Sequence, residues 1–190
     1  SVILSGRDMM GIAQTGTGKT LAFGVPMIQL LGKNKGQGLI LLPTRELALQ
    51  VNDVIQKIGS HFGLRTAVLI GGASSHQQIQ AMRKNPHILI STPGRLIAHL
   101  QEKNLSLSRV TMIVLDEADH MVDIGFLKDV QYMISLLPQK RQSLFFSATT
   151  TPKIELLINT FLNNPARISV KTSDTSSHVE QDVVRVSRAN

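Results

Sequence analysis

The chain has 190 residues, 42% of them hydrophobic and 17% charged, with no cysteine. That is room for one well-buried domain, and it excludes a disordered or fibrous chain, a disulfide scaffold and a thiolate metal site. Lys and Arg number 20 against 13 Asp and Glu, a formal charge of +7 that favours polyanionic partners, while aromatics at 4% without Trp give little support to a platform stacking single-stranded bases.

No apolar run approaches the roughly 18–20 residues of a membrane span. Arg7 and Asp8 interrupt any signal-peptide core, so a soluble, cytoplasmic domain without a membrane partner is expected. The chain begins without an initiating Met, and a segment upstream is expected to have been cut away. Ser5-Gly6-Arg7-Asp8 reads as a turn leading into a strand from Met9. Residues 13–20, AQTGTGKT, follow that strand and open a helical pattern. Strand, glycine loop and helix is the arrangement in which backbone N–H groups and a helix N-terminus surround a phosphate. Ala13, Gln14, Thr15, Gly16, Thr17, Gly18, Lys19 and Thr20 are the candidate phosphate-binding residues, with the Lys19 ammonium for the terminal phosphates and the Thr20 hydroxyl as a Mg²⁺ ligand. Ala13 stands where the strict pattern has glycine. Residues 19–31 then place Leu21, Phe23, Val25, Ile28 and Leu31 on an apolar face, a helix expected to be interrupted by Gly24 and Pro26.

Short apolar, β-prone runs recur at 39–42, 67–70, 87–90, 112–115, 143–147 and 167–170. Helical stretches lie between most of them, at 45–58, 75–84, 93–102, 126–137 and 152–162. Ser74 with Gln77 reads as a capping box, and Thr151 as an N-cap before Pro152. Near-continuous apolar strands alternating with helices predict an α/β fold, a mainly parallel sheet covered on both faces. In such folds ligands sit beyond the carboxyl ends of the strands, so the polar residues directly after each strand are the ones to read.

Pro43-Thr44-Arg45 follows 39–42. Pro43 ends the strand and Thr44 can cap the helix, but a guanidinium at a helix N-terminus is electrostatically misplaced unless it meets an anion. Gly71-Gly72 permits either a sharp turn or a close backbone approach to a ligand. Thr92-Pro93-Gly94-Arg95 reads either as an N-cap with Pro at the first turn or as a second phosphate cradle with Arg95 on the same anion. Asp116-Glu117-Ala118-Asp119 puts three carboxylates at the end of an apolar strand, a costly placement unless they meet cations or donors. Beside a phosphate loop, Asp116 is the expected Mg²⁺ partner, and Glu117 can orient or deprotonate an attacking water. Ser147-Ala148-Thr149 either caps the helix near Pro152 or hydrogen-bonds Asp119 or neighbouring loops.

In this order the motifs resemble the ATP-hydrolysing core of the DEAD-box RNA helicases, of a bacterial type. The resemblance rests on AQTGTGKT (13–20), PTRELA (43–48), GG (71–72), TPGR (92–95), DEAD (116–119) and SAT (147–149), and it spans about Gly6 to Val170. Ala13 is then a mark of the family rather than a defect. The resemblance implies a RecA-like P-loop domain using ATP and Mg²⁺. Lys19, Asp116 and Glu117 would be catalytic, with Thr20 and Asp116 toward the metal. Pro43, Thr44, Arg45, Gly71, Gly72, Thr92, Pro93, Gly94 and Arg95 would grip the sugar–phosphate backbone of RNA without regard to sequence. Asp119, Ser147, Ala148 and Thr149 would couple nucleotide state to domain closure.

The family's upstream adenine-reading segment and its second RecA-like domain, with the arginine fingers, have no counterpart in this sequence. Residues 1–170 are therefore expected to be the N-terminal ATP-binding domain of a monomer, and 171–190 a Ser/Thr-rich linker toward the second domain. Such a half-site is expected to turn over little ATP, because an arginine finger is typically worth about 10³–10⁵ in rate. Two other readings share these motifs: another nucleic-acid-dependent ATPase of the same superfamily, acting on DNA, and an adaptor that uses the fold only to bind RNA or a protein.

Overall fold

Seven strands form one sheet in the computed structural model, which describes residues 2–14, 18–34 and 36–169. Every described pairing is parallel. In chain order the elements are β1 (Met9–Ile12), α1 (Lys19–Lys33), β2 (Gln37–Leu41), α2 (Arg45–Gly59), a 3₁₀ turn (Ser60–Phe62), β3 (Thr66–Leu69), α3 (Ser75–Arg83), β4 (Ile88–Ser91), α4 (Pro93–Gln101), β5 (Val110–Leu115), α5 (Ala118–Asp123), α6 (Leu127–Ser135), β6 (Gln142–Ser147), α7 (Pro152–Phe161) and β7 (Ala166–Ser169). Across the sheet the order is β3-β4-β2-β5-β6-β1-β7.

Alternation along each strand divides the apolar side chains between two cores. Leu39, Leu41, Leu89, Ile113, Leu115 and Phe145 face one, packed with side chains of α4, α6 and α7. Ile40, Ile88, Ile90, Met112, Val114 and Phe146 face the other, with Phe23, Met27 and Ile28 of α1 and Val51 and Ile55 of α2. The sheet is thus covered on both sides, which is why its strands read as unbroken apolar runs.

Three expectations are corrected, and one helix appears where none was expected. First, α1 is not interrupted: it runs through Gly24 and Pro26, both buried. Pro26 removes one helical N–H, but Phe23, Met27 and Ile28 dock the helix on either side of it, and Gly24 leaves the space that the Ile55 side chain of α2 fills. Second, Thr92 occupies the N-cap position of α4 without a side-chain cap bond; the hydroxyl engaged here is that of Ser91, donating to Leu69 O and Thr92 O. Third, the helix expected over 126–137 is shorter, ending at Ser135. The unexpected helix, α5, had no sequence signal, because six residues are too few to show a period. Thr44, Ser74 and Thr151 do cap their helices, each accepting from the backbone N–H three residues on. Thr15, Gly16 and Thr17, residue 170 and the linker 171–190 lie outside the described residues.

Candidate functional site

The parallel ladder sets where each motif begins. It continues one residue past several strands: Ala13 N donates to Ser147 O (3.0 Å), Asp116 N to Leu41 O (3.0 Å) and Thr92 N to Leu69 O (3.1 Å). All the described motif residues therefore leave the sheet along one edge. The strand order sorts them into two groups, with the β1, β5 and β6 motifs on β5-β6-β1 and the others on β3-β4-β2.

On the first group, Gly18 takes the N-cap position of α1 at φ 79°, a left-handed conformation that a Cβ would strain. Helix α1 has no side-chain cap bond and no acid in its first turn, so no carboxylate competes for its leading N–H groups. The Lys19 ammonium donates to Ala13 O at 3.3 Å and pairs with Asp116 Oδ1 at 3.5 Å. Asp116 is buried, and that burial pushes its carboxyl above the ordinary value while Lys19 pulls it back down. The Glu117 N–H donates to Asp116 Oδ1 at 3.0 Å. Glu117 itself sits at φ 53° and ψ 48°, a left-handed backbone rare for a non-glycine residue, which turns the chain from β5 into α5. Its carboxylate lies 3.7 Å from His120 Nδ1.

Asp119 resolves the two readings of Ser147-Ala148-Thr149. Its Oδ2 accepts from Ala148 N (3.1 Å), Thr149 N (3.0 Å) and Thr149 Oγ1 (3.1 Å), while Thr151 caps α7. Ser147 is not part of that cluster; its hydroxyl donates to Thr149 O.

Among the described residues no group of three His, Asp or Glu could hold a metal ion. The residues present still fit Mg²⁺, because that ion is commonly held through one or two protein oxygens plus substrate phosphates and water. Asp116 with the half-buried Thr20 provides that donor set beside a lysine that phosphate oxygens would attract. An apolar hollow of about 430 Å³, lined by residues of β1, α1, β6 and β7, opens next to Ala13 and Lys19.

On the second group lies a groove of about 550 Å³. Pro43, Thr44 and Arg45, Gly71, and Thr92, Gly94 and Arg95 line it from three successive strand ends. Gly72 and Pro93 do not line it. Gly72 turns at φ 73° with the Arg45 guanidinium against the place a Cβ would take, and Pro93 is buried as the first residue of α4. The loop is therefore a sharp turn, and the group that approaches its backbone is the Arg45 side chain.

Three features escaped the sequence. Ile124 and Phe126 form an apolar wall of the groove. Arg95 Nε donates to Gln78 Oε1 at 3.0 Å, and the same oxygen lies 2.9 Å from His99 Nε2. Gln78 Nε2 in turn donates to Ile70 O (2.9 Å) and Ala73 O (3.4 Å), on either side of the glycine pair. Gln78 and His99 are buried, so one amide ties the Gly71-Gly72 loop to Arg95. A signal existed: Gln78 shares a helix face with Met82, and a polar residue on a buried stripe must find partners. Burial and the Arg95 guanidinium hold the His99 imidazole below its ordinary value, hence neutral. Because the amide oxygen only accepts, Nε2 carries the proton.

The family model described as DEAD/DEAH box helicase matches residues 1–157. The chain is 41% identical over 186 residues to the DEAD-box ATP-dependent RNA helicase CshA of Bacillus cereus, covering 96% of this chain and 35% of that protein. The CshA of Listeria monocytogenes is likewise 41% identical over 186 residues, with 36% of it covered. The chain thus spans about a third of the length of these relatives. Among solved structures, a DEAD box protein from Methanococcus jannaschii superposes with a TM-score of 0.85 at 36% identity, covering 90% of this chain and 47% of that one. A hypothetical ATP-dependent RNA helicase from Sulfolobus tokodaii gives 0.84 at 32% identity, covering 89% and 50%.

Proposed function

The chain belongs to the DEAD/DEAH box helicase family, and from that premise we propose that it is the ATP-binding half of an ATP-dependent RNA helicase. It would couple ATP binding and hydrolysis to a sequence-independent grip on RNA and local unwinding. Residues 1–170 are the first RecA-like domain in this reading, and 171–190 lead toward a second, as the greater length of the relatives supports. The observation that carries the proposal is one sheet edge on which the Lys19–Asp116 pair and a groove lined by Arg45 and Arg95 lie on adjacent groups of strands.

The chemistry follows from what each side chain holds. Lys19 exchanges the Asp116 carboxylate for the terminal phosphates, and the leading N–H groups of α1 bind the same oxygens. Asp116 and Thr20 would hold Mg²⁺, which would supply positive charge to offset that of those phosphates. Glu117, on its turned backbone, orients and deprotonates the attacking water. Asp119 reports the state of the β5 end to the Ser147-Ala148-Thr149 segment through its three hydrogen bonds. Arg45, the Gly71-Gly72 loop and Arg95 receive the sugar–phosphate backbone, contacts that position a strand without reading its bases.

RNA-stimulated phosphate release by the full-length protein tests this, with Glu117→Gln and with DNA replacing RNA. The variant should lose about 10²–10⁴ in rate, the usual worth of a positioned base. Equal rates would favour a non-catalytic adaptor, and equal stimulation by DNA a broader nucleic-acid-dependent ATPase.

A further inference from the structure

Parallel strands give a sheet two unlike edges. The site above uses the edge where strands end, and the other gathers the residues that precede strands. There Arg65 precedes β3, His87 precedes β4, Arg109 precedes β5 and Lys84 closes α3. Both guanidinia converge on Asn85: Arg65 Nη2 donates to its backbone oxygen (3.2 Å) and Arg109 Nη1 to its Oδ1 (3.5 Å). Arg65 Nε also donates to Lys84 O at 3.3 Å. The Arg65 N–H donates to His87 Nδ1 at 3.0 Å, which leaves the proton of a neutral His87 on Nε2. His87 and Arg109 line a hollow of about 530 Å³ whose other polar groups are Asn34, Ser108 and Thr111.

Among the described residues no carboxylate forms an ion pair with this cluster. The ion pairs among them are Lys19–Asp116 and Glu117–His120, both on the opposite edge. The β6 end of the same edge differs: Arg141 donates to Ser143 Oγ, Pro138 O and Phe161 O, and while burial pulls its guanidinium below the ordinary value, Asp8 pushes back. Cations at helix C-termini offset the macrodipole, which accounts for Arg83 and Lys84. It also accounts in part for Arg65, whose guanidinium meets the Lys84 and Asn85 carbonyls just past α3, but not for Arg109, which precedes β5 and meets the Asn85 side chain. Burial, then these two guanidinia, hold His87 below its ordinary value. Like charges set together without a counter-charge cost stability, and a local rule is broken in this way where a ligand supplies what is missing.

We propose that Arg65, Lys84, His87 and Arg109 form a second nucleic-acid surface, which takes the phosphate backbone of an RNA duplex outside the motif groove. Guanidinium forks beside hydroxyl and amide donors suit phosphate oxygens, and the clustered positive charge favours a polyanion over a neutral partner. The surface depends on neither ATP nor the groove. Loss of ATPase activity would therefore leave it intact, and its own failure would leave the helicase reading intact.

A salt titration of blunt RNA duplex binding to the chain tests the proposal. Arg65→Gln with Arg109→Gln should lower the slope of log affinity against log salt by about two and weaken binding about ten-fold near 50 mM salt. Arg65→Lys with Arg109→Lys should keep the slope, which separates charge from fold. Lys84→Gln alone should lower it by about one. The His87 imidazole should titrate at higher pH with duplex bound. An unchanged slope in the double Gln variant would overturn the proposal. So would loss of all duplex binding in Arg45→Gln with Arg95→Gln, or equally tight binding to phosphatidylserine vesicles.

Discussion

On the β5-β6-β1 half of the ligand-facing edge, charges meet inside the chain: Lys19 faces Asp116, and Asp119 gathers two backbone N–H groups and a hydroxyl. On the β3-β4-β2 half, Arg95 is met by a neutral amide and a carbonyl, and Arg45 rests against a glycine. The first half is self-neutralised and must exchange partners to work, since Lys19 has to leave Asp116 for phosphate. The second is a cradle in which, among the described residues, no carboxylate pairs with Arg45 or Arg95, although Glu46 also lines it. Substitutions in the first half should therefore act on turnover and local order, and those in the second on the affinity for a polyanion.

Removing Asp119 strikes hardest at this contrast. Asp119→Ala leaves three donors without their common acceptor, and hydrogen bonds to a charged group are worth about 1.5–3 kcal/mol each before water replaces them. Because these donors are exposed, a total near the value of a single bond is expected in urea unfolding. The Ala148 and Thr149 amides should lose their protection from hydrogen exchange, while Asp119→Asn keeps part of both. Protection that survives in Asp119→Ala would mean that the Ser147–Thr149 segment is held by something else.

Next in size is the clip on the other half. Gln78→Leu keeps the bulk but strands the Arg95 Nε and His99 Nε2 donors and frees the carbonyls of Ile70 and Ala73. RNA affinity should fall about ten-fold, equivalent to ~1.4 kcal/mol, as Arg95 and the glycine loop lose their common anchor. ATP affinity should not move. Fluorescence anisotropy with a labelled oligonucleotide, beside a nucleotide titration, reads both. A matched fall in the two would erase the division into halves.

These two residues also mark what could be read in advance. Asp119 lies in a motif, and its partners at 147–149 were among the expected alternatives because both follow buried strands of one parallel sheet. The architecture was equally legible, since four-to-six-residue apolar runs with helices between them allow few other folds. Gln78 was not legible: its role needs β3, α3 and α4 side by side, and nothing local says which carbonyls its amide will reach. The continuous α1 was misread for a related reason, because tertiary packing of Phe23 and Met27 outweighs what Gly24 and Pro26 prefer locally. Glu117's left-handed backbone is likewise set by the exit from β5, beyond any propensity.

The smallest expected effect is a pH dependence that belongs to the polyanion half. His99 is neutral in the fold, its pKa lowered from 6.5 by burial and then by Arg95. Below 6.5 the unfolded chain takes up a proton that the folded chain refuses. Stability is therefore full above that value and is lost as pH falls through the folded pKa, at no more than about 1.4 kcal/mol per pH unit. His87 contributes in the same direction, and Asp116, with its raised pKa, in the opposite one. A comparison with His99→Gln cancels both. Unfolding midpoints from pH 7.5 to 5 should fall less steeply in that variant than in the parent chain, although the variant starts lower for want of the Nε2 donor to Gln78. Parallel curves would show that the Gln78–His99 contact accepts a proton without cost. The clip would then hold Arg95 through the amide alone.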